Sequence, residues 1–132
     1  MKLTYKQIIN AVNPLSELSN KEMDYGLALK ISRNMKELEK HYIDYQEELQ
    51  TLQEEYLDRD EYGNFIPLNE ENTMFKIKDG LTEELNLKIQ TLNDFEVEAI
   101  VYMLHEEDFK DLKITPSLLM GIDFLIEEAD KI

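Results

Sequence analysis

Between Leu27 and Tyr56 large apolar side chains recur at Leu27, Ile31, Met35, Leu38, Tyr42, Tyr45, Leu49, Leu52 and Tyr56. Successive steps of 4, 4, 3, 4, 3, 4, 3 and 4 residues trace one face of an α-helix. From Ile31 onward they form a heptad pattern with polar residues between. No proline interrupts the run, and Gly26 stands at its start. The spacing predicts a helix over about residues 24–57, about 50 Å long at 1.5 Å per residue. A helix with such a stripe is not stable alone in water, so something must cover it. Three of the seam residues are tyrosines, whose hydroxyls need partners if they are buried.

A cover is present nearby. Met74, Ile77, Leu81, Leu85, Ile89 and Leu92 follow steps of 3, 4, 4, 4 and 3, which predicts a second helix over about residues 70–92. Joined by a turn over about residues 58–69, the two make a long antiparallel hairpin that buries both stripes. Gly80 costs a helix interior about 1 kcal/mol relative to Ala, so the second helix could break there. The alternative is a homodimer in which the long helix pairs with its copy. Heptads fit both arrangements, and short connections favour the hairpin.

The flanks complete a mainly α chain, or an α+β one if its strand finds a partner. Thr4 and Gln7 form a capping-box pair ahead of Ile8, Ile9 and Val12, and Pro14 is expected just past the end of that short helix. Residues 14–25 read as a connection. In DFEVEAIVYML, Phe95, Val97, Ala99, Val101 and Met103 alternate with the residues between them. That period of two predicts a strand over about residues 95–104, with a helix as the alternative. Thr115 and Pro116 cap and open a C-terminal helix expected over about residues 116–130. The whole, residues 1–132, is expected to be a single domain.

Charge limits the function classes. The net charge is −15, unevenly spread. Residues 1–40 hold seven Lys/Arg against five Asp/Glu, and residues 41–132 hold seven against twenty-four. Such a surface repels nucleic acid and suits a partner with a basic surface. There is no cysteine, hence no disulfide framework or thiolate chemistry. No window approaches the roughly 18 apolar residues of a membrane span. The expectation is a cytoplasmic protein that binds neither membrane nor nucleic acid directly.

Chemical motifs are few. Asp58, Asp60, Gly63 and Phe65 match positions 1, 3, 6 and 8 of a calcium loop, but position 5 is Tyr62 and position 12 is Asn69. An amide there cannot supply the bidentate carboxylate such a loop requires. The better reading is a helix end followed by a Gly63-Asn64 turn. His41 and His105 lack a second histidine at metal spacing, and each reads as an ordinary, partly exposed histidine. The Glu-Glu pairs lie on solvated helix faces rather than in a cleft. No catalytic residue, metal site or cofactor is expected, so the chain reads as a non-enzyme. The candidate partner-binding residues are Asp58, Asp60, Glu61, Tyr62 and Phe65 at the turn, with Glu47 and Glu54 on the long helix. Aromatic residues at the turn are the expected anchors.

Four segments together carry a resemblance. KLTYKQIINAVNPLSEL at the start, ALKISRNMKELEKHYIDYQEEL, the Asp-Glu-x-Gly-Asn turn and ITPSLLMGIDFLIEE resemble an uncharacterised family of small proteins from phages and prophages of Gram-positive bacteria. The resemblance spans nearly the full length, and its motifs mark a seam, a turn and a helix cap. It implies a phage accessory protein acting in the host cytoplasm by binding a host or phage protein, as in inhibition of a host defence factor. A role in phage morphogenesis is the alternative. It implies no catalytic residues.

Overall fold

The computed structural model describes residues 1–127. In chain order these form β1 (Lys2–Thr4), α1 (Tyr5–Ser19), α2 (Tyr25–Tyr56), α3 (Thr82–Asn93), β2 (Glu96–Glu98), β3 (Leu104–His105), α4 (Pro116–Ile122) and β4 (Ile126–Glu127). The chain is mainly helical with a few short strands. It divides into two compact units. Among the described residues, one is Met1–Ile43 together with 95–127, and the other is Asp44–Asp94. Helix α2 contributes residues to both. Its predicted seam is the face that is covered: Leu27, Ile31, Leu38, Tyr45 and Tyr56 are buried, and Met35, Tyr42, Leu49 and Leu52 are half-buried.

In the first unit α1 opens with the expected capping box. The Gln7 amide donates to Thr4 Oγ1 at 3.2 Å, and Gln7 Oε1 accepts from the Thr4 amide at 2.9 Å. The helix does not stop before Pro14 as expected; it runs through it to Ser19. An interior proline removes the bond to the carbonyl four residues earlier, here Asn10, and costs about 3 kcal/mol. Burial offsets this, because Ile8, Ala11, Leu15 and Leu18 continue one apolar stripe across the proline. α1 packs extensively on α4, with Gly121 at the crossing. A Cβ on Gly121 would lie 2.5 Å from Pro14 Cγ and 2.7 Å from the Asn10 carbonyl oxygen. The glycine thus admits the proline ring and the carbonyl that the proline leaves unbonded.

The predicted strand over 95–104 is laddered only at its ends. Glu96–Glu98 pair antiparallel with β1, and Leu104–His105 pair parallel with β4. Between them the backbone keeps its period of two, with Ala99 buried and Ile100 and Tyr102 turned outward. Ala99 still pairs with Met1, its amide donating to the Met1 carbonyl at 2.9 Å; beyond it the hydrogen bonds go to a helix instead of a strand. The Tyr102 amide donates to Asn34 Oδ1 at 2.7 Å, and Asn34 Nδ2 donates to the Tyr102 carbonyl at 2.8 Å. One turn further along α2, Glu37 Oε2 accepts from the Ile100 amide at 2.7 Å. Asn34 is fully buried. Its amide copies the donor–acceptor pair of a peptide, and leaving either group of Tyr102 unpaired would cost about 1–3 kcal/mol.

The C-terminal helix keeps its predicted start: Thr115 Oγ1 accepts from the Leu118 amide at 3.3 Å, and Pro116 follows the cap. It is shorter than the expected 116–130, ending at Ile122 before a 3₁₀ turn and β4. Leu118, Ile122 and Leu125 keep helical spacing and are all buried, so periodicity alone does not reveal the end. Residues 128–130 of the expected helix lie outside the described residues.

In the second unit the last turns of α2 run antiparallel to α3. The Tyr45 hydroxyl donates to Asn93 Oδ1 at 2.6 Å, and Lys88 Nζ lies 5.8 Å from the centre of the Tyr56 ring. The helical hairpin is shorter than its stripe suggested, because the second helix begins at Thr82 and not near residue 70. Gly80 takes φ +78° and Asn72 takes φ +54°, values that end or prevent right-handed helix. Residues 70–81 instead join a strand-like tip.

Two outcomes test this packing. Gly→Ala inside a helix ordinarily stabilises by about 1 kcal/mol. Gly121→Ala is expected to do the opposite, losing about 1–3 kcal/mol by overpacking, measured as a lower urea midpoint. Glu37 also has a signature. The Ile100 amide bond, opposed by burial and aided by Lys40, holds its carboxyl below the ordinary 4.5. A depressed folded-state pKa contributes stability above the unfolded value that is lost as pH falls through the folded one. The stability gap between wild type and Glu37→Gln should therefore narrow as pH drops below about 4.5, seen in unfolding curves across acid pH.

Candidate functional site

Beyond Tyr56 the chain folds back on itself twice within the second unit. The Asp58 amide donates to the Lys76 carbonyl at 2.8 Å and the Lys78 amide to the Tyr56 carbonyl at 2.9 Å. The Lys76 amide donates to the Ile66 carbonyl, and the Leu68 amide to the Met74 carbonyl, both at 2.8 Å. Bridges at Leu57–Ile77, Arg59–Phe65 and Pro67–Phe75 tie residues 57–59, 65–67 and 75–77 together.

Side chains close both turns. In the first, Asp60 Oδ1 accepts from the amides of Tyr62 at 2.9 Å and Asn64 at 3.0 Å, an Asx turn. Gly63 takes φ +81° there. Arg59 braces the same turn: its Nη1 donates to the Gly63 carbonyl at 2.9 Å, and its guanidinium lies 4.5 Å from the Phe65 ring centre. Phe65 meets Phe75 edge to face at 5.9 Å. In the second turn, Asn69 Oδ1 accepts from the amides of Thr73 at 3.1 Å and Met74 at 3.3 Å.

The candidate residues thus divide by role. Asp60 holds the turn. Asp58 accepts from the Arg59 amide at 2.9 Å and lies 3.5 Å from Lys76 Nζ. Phe65 is half-buried between Arg59 and Phe75. Glu61 and Tyr62 point outward, Tyr62 at 81% exposure. Glu47 and Glu54 are exposed on α2, with Gln50 Nε2 donating to Glu54 Oε1 at 3.2 Å. Two exposed apolar residues were missed in the sequence, Leu68 at 61% and Met74 at 60%. Met74 fits the helical stripe in spacing, so only the break at Gly80 hints that it faces water.

Asp58 and Asp60 are therefore engaged by the chain's own amides and by Lys76, not gathered into one coordination sphere. Among the described residues no group of three or more His, Asp or Glu side chains is arranged to hold a metal ion, and no helix is long and apolar enough to cross a membrane. His41 is more covered than expected: its Nε2 is buried with no hydrogen-bond partner among the described residues, 3.5 Å from Glu37. His105 Nδ1 lies 3.5 Å from Glu127.

Because Asp60 satisfies two amides at once, Asp60→Ala is expected to raise hydrogen exchange at Tyr62 and Asn64 by at least about tenfold while α3 amides stay unchanged. Mass spectrometry of exchanged peptides from the two regions would measure this. Comparison with protein-family models, with curated proteins and with solved structures found no match for the chain.

Proposed function

We propose that the protein acts by binding another protein through the tip of its second unit, and that the partner presents a basic surface. The observation that carries this reading is the exposure of Tyr62, Leu68 and Met74 on turns closed by Asp60 and Asn69. A side chain held on a braced turn loses little entropy on binding, and aromatic anchors dominate interface energetics. Glu61, Glu70 and Glu71 are exposed beside these residues in the chain, so the apolar anchors sit in an acidic setting. That combination favours a partner with apolar pockets and basic rims.

On the resemblance to small phage proteins, such a partner would be a host or phage protein in an infected cell. Inhibition of a host defence factor is the role that fits a small, acidic, binding-only chain. Assembly of the virion is the other role open to it, and recovery of the protein in purified particles would favour that one.

Affinity capture from host lysate tests the reading if wild type is run beside Tyr62→Ala/Leu68→Ser/Met74→Ser. The expected result is a partner that the triple variant loses by about 10²-fold or more in affinity and that weakens with added salt. Capture of the same partner by the variant at undiminished affinity would move the binding surface elsewhere.

A further inference from the structure

Within the first unit, α1 leaves one flank of α2 uncovered. Ser32, Lys36, Glu39 and Ile43 follow steps of 4, 3 and 4 residues along α2, which places them on one ridge. Ser32, Lys36 and Glu39 are exposed, and Ile43 is a large apolar residue at 47% exposure. Beside this ridge lie two adjoining hollows. One, of about 270 Å³, is lined by Met23, Ala28, Ser32 and Met35 among others. The second, of about 250 Å³, is lined by Val12, Leu15, Leu38 and Tyr42. Met35 and Glu39 border both. Ala28, Met35 and Tyr42 recur at seven-residue steps, the repeat with which one helix receives another.

We propose that this flank is where two copies of the chain associate, with the two α2 helices antiparallel about a two-fold axis midway between Lys36 and Glu39. A ridge beside a groove is self-complementary under such an axis, because each ridge enters the other copy's groove. The axis sets Lys36 opposite the second copy's Glu39, and by symmetry the reverse pair forms as well. It also sets Ile43 opposite the second copy's Ser32, on the wall of the hollow that Ala28 and Met35 line. The exposed isoleucine then fills the cavity and both charges of each ridge are paired.

Charge distribution favours a second copy here over any other part of the molecule. Net charge opposes self-association, and the chain carries −15. Residues 1–40, which supply nearly all of this flank, hold seven basic against five acidic side chains. The acidic excess lies in the rest of the chain. A contact confined to this segment avoids the like-charge repulsion that the remainder would impose.

Sedimentation equilibrium on the full chain reads the outcome, with circular dichroism to confirm that each variant stays helical. Wild type is expected to dimerise, and Ile43→Asp is expected to be monomeric up to about 100 μM. Lys36→Glu or Glu39→Lys alone each creates two like-charge contacts and should weaken the dimer about tenfold. Combining Lys36→Glu with Glu39→Lys should restore it, since the swapped charges pair again across the axis. Only pairing of a surface with itself in this register predicts that rescue. A wild type that stays monomeric overturns the proposal. So does a dimer indifferent to Ile43→Asp, or a double variant no tighter than the single ones. The tip variant Tyr62→Ala/Leu68→Ser/Met74→Ser should dimerise as wild type does, so loss of partner capture and loss of the dimer remain separate results.

Discussion

The fully buried amide of Asn34 is the contact on which the first unit turns. Beyond Ala99, which still pairs with Met1, the extended segment leading to β3 has no strand beside it among the described residues, and unpaired backbone groups would be expensive to cover. Asn34 meets both groups of Tyr102, and Glu37 meets the amide of Ile100. Two side chains spaced three apart on α2 thus take the place of a strand edge. Because they are fixed on a long helix, the segment is held in register with the two-stranded pairings at either end. Ala99 and Leu104 turn inward as a result.

The second unit solves the same problem locally. Its tip has no regular ladder of any length, yet its turns bind their own amides through Asp60 and Asn69 and brace an aromatic pair under Arg59. Asp60, Asn69 and Arg59 hold the backbone there. The large apolar residues left facing water there are Tyr62, Leu68 and Met74, with exposed glutamates near them in the chain. In this division of labour polar side chains hold the backbone while large apolar ones stay in water.

Packing between α1 and α4 adds a third device. Pro14 withdraws a bond donor from α1, and Gly121 has no side chain to keep α4 away from the gap. A sequence reader sees Pro14 and infers a helix end, because within a single helix the cost is uncompensated. The compensation comes from Leu15, Leu18 and a glycine more than 100 residues away.

Much of this molecule was legible in local patterns. The seam of α2, the caps at Thr4 and Thr115, the period of two beyond Phe95 and the turn at Gly63-Asn64 each depend on residues within a few positions of one another. Short-range sterics and hydrogen bonding are enough to specify them. Asn34 could have been noticed as a polar residue three positions from Ile31 on the edge of the stripe, but nothing local says which backbone it meets. The passage of α1 through Pro14 and the fate of residues 100–103 were decided by tertiary contacts. Each rests on a hydrogen bond or a close approach between residues far apart in the chain, where local spacing carries no information. The sequence alone determined a mainly helical, acidic chain with one long seamed helix. Only the tertiary structure decided which side chains stand in for a strand and which apolar residues remain in water.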